Sequence, residues 1–433
     1  MIFGQSYQIV FIKQWGIIAQ LLALRFYQPS YKLRKTIWQW FYLPGLASGI
    51  KIPGLLTMLN SYRNLALRNL TLFICFLIFI LAPVISCFAE NPDSLIYKKD
   101  LLLSVRYHHG LLFPMHASMT YFTKENINGL EIRAGRTFVN IKPDRPPEIG
   151  IGYFFSNNGN RDVYGYTNAA YFFFNSNFFK NSSPVYLEQS ISVGISYLNK
   201  IFDARENYFN RAIGSHLNIF FIYSISARVK INNNLLFTFG PSVAHSSNGN
   251  ITQPNNGINL VTANAGLTWK IREATNINLI NSPPNIQYKK NRYFFLFSGG
   301  IRQISRYFPE RYFTSTTLAE YSRRISRTLA FGGGIDFFYD PTEGRETFIN
   351  GPRIENLVPW HAGMHLSCEI IWGDLSFILQ PGYKIITPSA QSFYSFNRIG
   401  LRYYLNKNYI LNYSLKSHKF AADYFELGVG YMF

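Results

Sequence analysis

Cysteine is almost missing from this sequence. Of its 433 residues three are Cys: Cys75 and Cys87 fall in an N-terminal apolar segment, leaving Cys368 alone from residue 90 onward. A lone thiol can neither close an intramolecular disulfide nor build a thiolate metal cluster, which excludes both from 90–433. Charge is scarce as well, at 15% Asp, Glu, Lys and Arg against about 25% in an average soluble domain. Methionine numbers only 6 beside 30 Tyr and 39 Phe, and aromatic side chains fit a pleated surface better than a helix interior. The mean hydropathy of −0.02 leaves no room for several apolar spans of ~20 residues, so a helical membrane protein is excluded. A dense Lys/Arg run or a known reader motif is also lacking, and no nucleic-acid partner is expected. Rich in aromatics, poor in charge and neutral in hydropathy is the composition of a barrel with one greasy and one wet face.

Acidic residues are wholly missing from 1–89, which hold eight Lys/Arg (Lys13, Arg25, Lys32, Arg34, Lys35, Lys51, Arg63, Arg68). The remaining 34 basic and 23 acidic residues leave 90–433 with +11 of the total +19, an excess that suits anionic lipid or phosphate, or simply a solvated basic surface. Arg63 and Arg68 precede the uncharged run Leu70–Ile85, which ends in Cys87-Phe88-Ala89 before Glu90. A basic stretch, an apolar stretch and small residues at −3 and −1 predict a secretory signal peptide over 58–89, starting at Met58. A single transmembrane anchor and a lipoprotein site at Cys87 are the alternatives. Residues 1–57 are expected to be an over-extended start without function.

Beyond Glu90 short alternating runs follow one another, from Leu101–His108 through Leu235–Ser247 to Ala422–Phe433. They predict an all-β fold, a transmembrane antiparallel β-barrel of 12–16 strands spanning 90–433; a soluble β-sandwich is the alternative. The tail Glu426-Leu427-Gly428-Val429-Gly430-Tyr431-Met432-Phe433 resembles the C-terminal signal by which the bacterial outer-membrane assembly machinery recognises its barrels. That resemblance implies the assembly machinery as a partner, through Phe433, and a Gram-negative outer membrane as the location. Leu427, Val429, Tyr431 and Phe433 form one lipid-facing row, and Gly428 and Gly430 leave room on the inner face. Short polar Lys230–Asn234 and Asn406–Asn408 read as periplasmic turns, so Leu235–Ser247 runs outward.

That strand ends in Val243-Ala244-His245-Ser246-Ser247-Asn248-Gly249. Two residues apart on a strand, His245 and Ser247 share a face at about 6.6 Å along the chain. An imidazole can bridge that gap to a hydroxyl, the first requirement of an activated serine. Leu235, Phe237, Phe239, Pro241 and Val243 make the odd row apolar, and His245 and Ser247 continue it. On the next strand Asn259, Val261, Ala263, Ala265, Leu267 and Trp269 form the apolar row, which puts Asn259 on the same lipid-facing side. A polar trio at a lipid-side rim has no folding reason to exist, and an enzyme could there meet an ester in the outer leaflet without extracting it.

His-x-Ser-Asn at 245–248, followed by Pro254-Asn255-Asn256-Gly257 and a polar residue two later, resembles the lipid A 3-O-deacylase (PagL-type) family, whose larger relatives are called acyloxyacyl hydrolases. Ala212–Asn218 and Leu415–Phe433 add a looser likeness to the larger relatives. The resemblance implies a barrel esterase that removes an ester-linked acyl chain from lipopolysaccharide without metal or other cofactor. It implies His245 as base, Ser247 as nucleophile, Asn255 as an oxyanion-hole donor and Asn248 as a supporting polar group. The sequence departs from the family twice. It is much longer than the family's small eight-stranded members, and Asn259 stands where the third member is usually an acid. An amide oxygen can orient an imidazole, but it does not stabilise an imidazolium as a carboxylate does. His418 reads as a surface-loop residue, His216 as structural, and His108, His109 and His116 as a group without a carboxylate at ligand spacing. The rival reading is a non-catalytic barrel, a pore or transporter.

Overall fold

The computed structural model describes residues 101–137, 147–178, 184–272, 289–326, 328–342, 358–387, 394–405, 408–418 and 421–433. These residues belong to one compact unit of the chain. The expected idle start 1–57, the signal peptide 58–89 and its cleavage site before Glu90 lie outside the described residues, as do Asn406 and Lys407.

The alternating runs all become strands. In order they are β1 (Leu101–Leu112), β2 (Ile127–Thr137), β3 (Glu148–Asn157), β4 (Tyr166–Asn177), β5 (Val185–Leu198), β6 (Leu217–Lys230), β7 (Leu235–Ser247) and β8 (Ile258–Arg272). After these come β9 (Asn291–Ser305), β10 (Phe308–Arg324), β11 (Leu329–Tyr339), β12 (Trp360–Trp372), β13 (Leu375–Ile386), β14 (Ser395–Leu405), β15 (Tyr409–His418) and β16 (Ala421–Met432). A short helix, α1 (Ala117–Phe122), follows β1; it starts at His116, whose Nδ1 accepts the Ser118 N–H at 3.2 Å.

The sixteen strands do not close into the single large barrel expected for 90–433. They form two closed eight-stranded barrels, β1–β8 and β9–β16. The reason lies in the pairing of β8, which lies against β1 from Leu101↔Arg272 to Leu112↔Leu260 and leaves no free edge for a ninth strand. β9 therefore starts a second sheet, which β16 closes through pairs such as Leu427↔Gly299 and Met432↔Phe294. All neighbours are antiparallel, as the hairpin order of the sequence requires.

Eight strands enclose a space just wide enough for side chains, and here they fill it with paired charge. Inside the first barrel Arg133 meets Glu131 at 2.8 Å, and Arg228 meets Glu148 at 2.9 Å and Glu188 at 3.1 Å. Inside the second, Arg398 meets Glu426 at 2.6 Å, Arg402 meets Glu320 at 2.7 Å and Arg292 meets Glu369 at 2.6 Å. A buried ion costs several kcal/mol unless an opposite charge and hydrogen bonds compensate it, so each guanidinium comes with its carboxylate.

The outer walls carry the complementary row. On β7, Phe239, Pro241 and Val243 point out while Thr238, Ser242 and Ala244 point in. Leu427, Val429, Tyr431 and Phe433 are exposed along β16, as the sequence predicts. On the opposite face of β16, a Cβ at Gly428 would lie 2.1 Å from the Ser298 hydroxyl, so the tail's glycine serves close strand packing.

The two ends of the first barrel differ. β6 turns into β7 within Ile231–Asn234, held by Ile231 N–H to Leu235 O at 3.0 Å. At the other end, the connections after β1, β3 and β5 bury Met119, Tyr164, Ala212 and Ile213 against Leu112, Leu198 and Ile258. This apolar cap supports the connection that carries the site.

Candidate active site

Strand register brings the three polar residues together. His245 on β7 is the direct cross-strand partner of Asn259 on β8, and directly opposite side chains stand close enough to bond. The His245 Nδ1 lies 2.6 Å from Asn259 Oδ1, and its Nε2 lies 2.9 Å from Ser247 Oγ. An amide oxygen only accepts, so Nδ1 carries the proton and Nε2 presents its lone pair to the serine hydroxyl. Ser247 therefore donates to a neutral imidazole, and an unbroken chain runs from Asn259 through His245 to Ser247.

Burial grades along the chain: Ser247 is 7% exposed, whereas His245 and Asn259 are half-buried. The wall beside them is apolar and open, with Val243 and Val261 exposed and Phe221 paired with His245 from β6. The ring is seated from above by Gly257, whose φ of +77° favours glycine and whose added Cβ would stand 2.7 Å from His245 Cε1. Its N–H donates to Ala212 O at 2.9 Å, which ties the turn to the cap.

Asn248 and Asn255 meet across the connection that follows Ser247. The Asn248 N–H donates to Asn255 Oδ1 at 3.0 Å, and Asn248 Nδ2 donates to Ser215 Oγ at 2.7 Å and Thr252 O at 2.9 Å. Asn255 Nδ2 donates to Asn250 Oδ1 at 3.2 Å. An amide nitrogen has two hydrogens, so this bond leaves Asn255 one N–H to give elsewhere. Asn248 and Asn255 thus lie in the connection that follows Ser247, each committed in part to holding that loop.

Ser215 and Ile213, which bridges Asn255, take part although no role was read for them; their only sequence signal is the likeness over Ala212–Asn218. The remaining histidines are placed elsewhere. His216 Nδ1 donates to Leu198 O at 2.6 Å and the ring stacks on Tyr197, a structural position. His108 lies in the lumen, 3.4 Å from Glu131 and 3.1 Å from Thr262, a carboxylate partner that spacing along the chain did not reveal. His418 is not a free loop residue: it ends β15, partly buried and bonded to Asp423.

Residues 138–268 match the family model described as lipid A 3-O-deacylase (PagL), and residues 291–433 match the one described as acyloxyacyl hydrolase, C-terminal domain. The first match falls on the first barrel and the second on the second. No curated protein matches the sequence. Among solved structures, the chain is similar to the ferric enterobactin receptor of Pseudomonas aeruginosa at 10% identity and a TM-score of 0.21, covering 74% of this chain and 45% of the receptor. It is also similar to the β domain of the Bordetella autotransporter BrkA at 10% identity and a TM-score of 0.22, covering 78% of this chain and 99% of that one. Salmonella typhi OmpF is similar at 8% identity and 0.16, covering 79% and 98%. The chain thus spans less than half the length of the receptor, and scores this low carry no argument; the barrels rest on their strand pairing.

Proposed function

Because the chain belongs to the lipid A 3-O-deacylase (PagL-type) and acyloxyacyl hydrolase family, we propose that it is an outer-membrane esterase that removes an ester-linked acyl chain from lipid A by a Ser/His mechanism. The observation that carries the proposal is the hydrogen-bonded sequence Asn259–His245–Ser247 on the lipid-facing rim of β7 and β8.

In the proposed reaction Ser247 Oγ attacks the ester carbonyl while its proton passes to His245 Nε2. The C–O bond to the sugar then breaks, and the imidazolium returns that proton to the leaving alkoxide. Water, deprotonated by the same ring, attacks the acyl-serine; the bond between the acyl carbon and Ser247 Oγ breaks, the ring returns the proton to Oγ, and the fatty acid is freed. Asn259 Oδ1 holds Nδ1–H throughout, fixing tautomer and orientation. The uncommitted Asn255 N–H is the candidate donor to the oxyanion, and Asn248 holds Asn255 in place. Val243, Val261 and Phe221 offer the departing chain an apolar wall, so a lipid standing in the outer leaflet can react without being lifted out.

The rival reading, a pore or transporter, is disfavoured by the lumens. Both barrels are eight-stranded and filled by ion pairs, and barrels of this size leave no aqueous channel. The proposed location is a Gram-negative outer membrane, reached through the assembly machinery with the Phe433 tail as its signal. The test is mass spectrometry of lipid A from cells expressing the protein. Loss of one hydroxyacyl unit with the parent and no loss with Ser247→Ala supports the reading; unaltered lipid A with a correctly folded parent sinks it.

A further inference from the structure

The loop that carries the site rests on the second barrel. Gln303 at the end of β9 donates its N–H to Asn250 O at 2.8 Å and accepts the Gln253 N–H at 3.0 Å. Arg311 on β10 donates to Thr252 Oγ1 at 3.1 Å, and Asn250 Nδ2 donates to Ala422 O at the start of β16. Gly249 turns with φ +59° directly against the Phe425 ring, where an added Cβ would come within 2.3 Å.

Beside these contacts opens a cleft of about 250 Å³ that both barrels line. Arg211, Pro254 and Asn256 come from the first barrel, Arg306 and Tyr307 from the turn between β9 and β10, and His116 from the start of α1; no Asp or Glu lines it. The Arg306 guanidinium carbon lies 5.7 Å from the centre of the Phe202 ring and 4.7 Å from that of Tyr307. Among the described residues neither Arg211 nor Arg306 has a carboxylate partner. The hydrogen bond from Arg306 holds the exposed Tyr307 phenol below its ordinary range, and the positive charge of Arg211 acts in the same direction. The cleft is also tied to His245: Asn256 Nδ2 donates to Arg211 O at 2.7 Å, and the next residue, Gly257, packs on the His245 ring.

We infer that this cleft takes a phosphate carried by the saccharide headgroup of the ester substrate, so that the second barrel completes the substrate site. Two guanidinium forks without carboxylates match phosphate geometry, and the cleft shares Asn256 with the site, since Asn256 O accepts from Asn259 Nδ2 at 3.5 Å. Lipid A is a phosphorylated glycolipid, so one molecule can engage both surfaces. The identity of the ligand rests on the esterase reading; the cleft and its charge do not.

The test uses the full chain in detergent with Ser247→Ala to stop turnover. Binding of phosphorylated lipid A is compared with that of the same lipid after phosphate removal. The phosphorylated form should bind on the order of tenfold tighter or more, since a charge-assisted bond to one guanidinium is worth roughly that factor. Adding Arg211→Gln and Arg306→Gln together should bring the two lipids to near parity. Retention of heat-modifiable migration on a gel shows that the variant is folded. Equal affinity of the parent for both lipids, or a preference that survives in the double variant, overturns the inference. So does inorganic phosphate that binds as tightly as the lipid, which would make the cleft a free-anion site. Acyl release by the unmodified chain is measured separately: a phosphate preference without any acyl release defeats the esterase reading and leaves the cleft standing.

Discussion

Asn259 is the residue on which the proposed chemistry departs from the more common acid, and its substitution tests the departure. Its Oδ1 lies 2.6 Å from His245 Nδ1. While the ring is neutral this is an ordinary hydrogen bond, worth about 1 kcal/mol net; once Ser247 has passed its proton to the ring the bond becomes charge-assisted, about 1.5–3 kcal/mol. The ring is charged only as the reaction proceeds, so on Asn259→Ala the difference between the two, about 0.5–2 kcal/mol, should fall on kcat, roughly two- to thirtyfold, with KM little changed. Asn259→Leu should lose at least as much, because it fills the space without an acceptor. Asn259→Asp should preserve or raise kcat, since a carboxylate orients the same ring and also stabilises its charged form. Among the described residues the amide nitrogen of Asn259 has two hydrogen bonds, to Asn256 O and Gly257 O, both at 3.5 Å, so its removal costs little. The assay is acyl release from purified lipopolysaccharide in detergent at one pH near neutrality. An Ala variant as fast as the parent would refute the orienting role. An inactive but folded Asp variant would show that the NH₂ group is what matters, making Asn259 a donor to the substrate.

Ser247→Ala and His245→Ala should each abolish acyl release, and the double variant should be no worse than either, as expected for groups acting as one unit; full activity in Ser247→Ala would falsify the nucleophile assignment. Gly257→Ala should lower kcat well beyond its effect on stability, because its Cβ would meet His245 Cε1 at 2.7 Å; equal kcat would mean that the ring has room to shift. N-terminal sequencing of the membrane-inserted protein should begin at or near Glu90; residues 1–57 found attached would overturn both the signal peptide and the start at Met58.

The strand positions were legible because a side-chain period of two is written residue by residue. The alternation over Leu235–Ser247 predicts the very bounds that strand β7 takes. How many barrels the strands form was not legible in the same way. Closure depends on whether β8 finds β1 or continues to β9, a pairing between residues as distant as Leu101 and Arg272, and alternation is blind to partners. One local sign was available: Asn281-Ser282-Pro283-Pro284 interrupts the pattern between β8 and β9, and proline cannot donate to a central ladder. Read as a seam, that interruption divides sixteen strands into eight and eight.

The site was legible for a different reason. His245 and Ser247 are neighbours on one strand, so their shared face follows from the sequence alone. Asn259 needed one further step, that β7 and β8 form a hairpin whose outward rows coincide; the register then makes it the direct partner of His245. What stayed hidden comes from elements with no periodic signature. Ser215 reaches Asn248 from a connection on another hairpin, and Gln303 supports Asn250 from another barrel. No spacing rule predicts such contacts, because irregular connections repeat nothing. The same limit explains the basic cleft. Arg211 and Arg306 are 95 positions apart in the sequence, and each alone is one more basic residue in a basic chain. Only when two closed barrels set their rims together do they face one cavity, so the second barrel's contribution to the substrate is a property of the assembled rim.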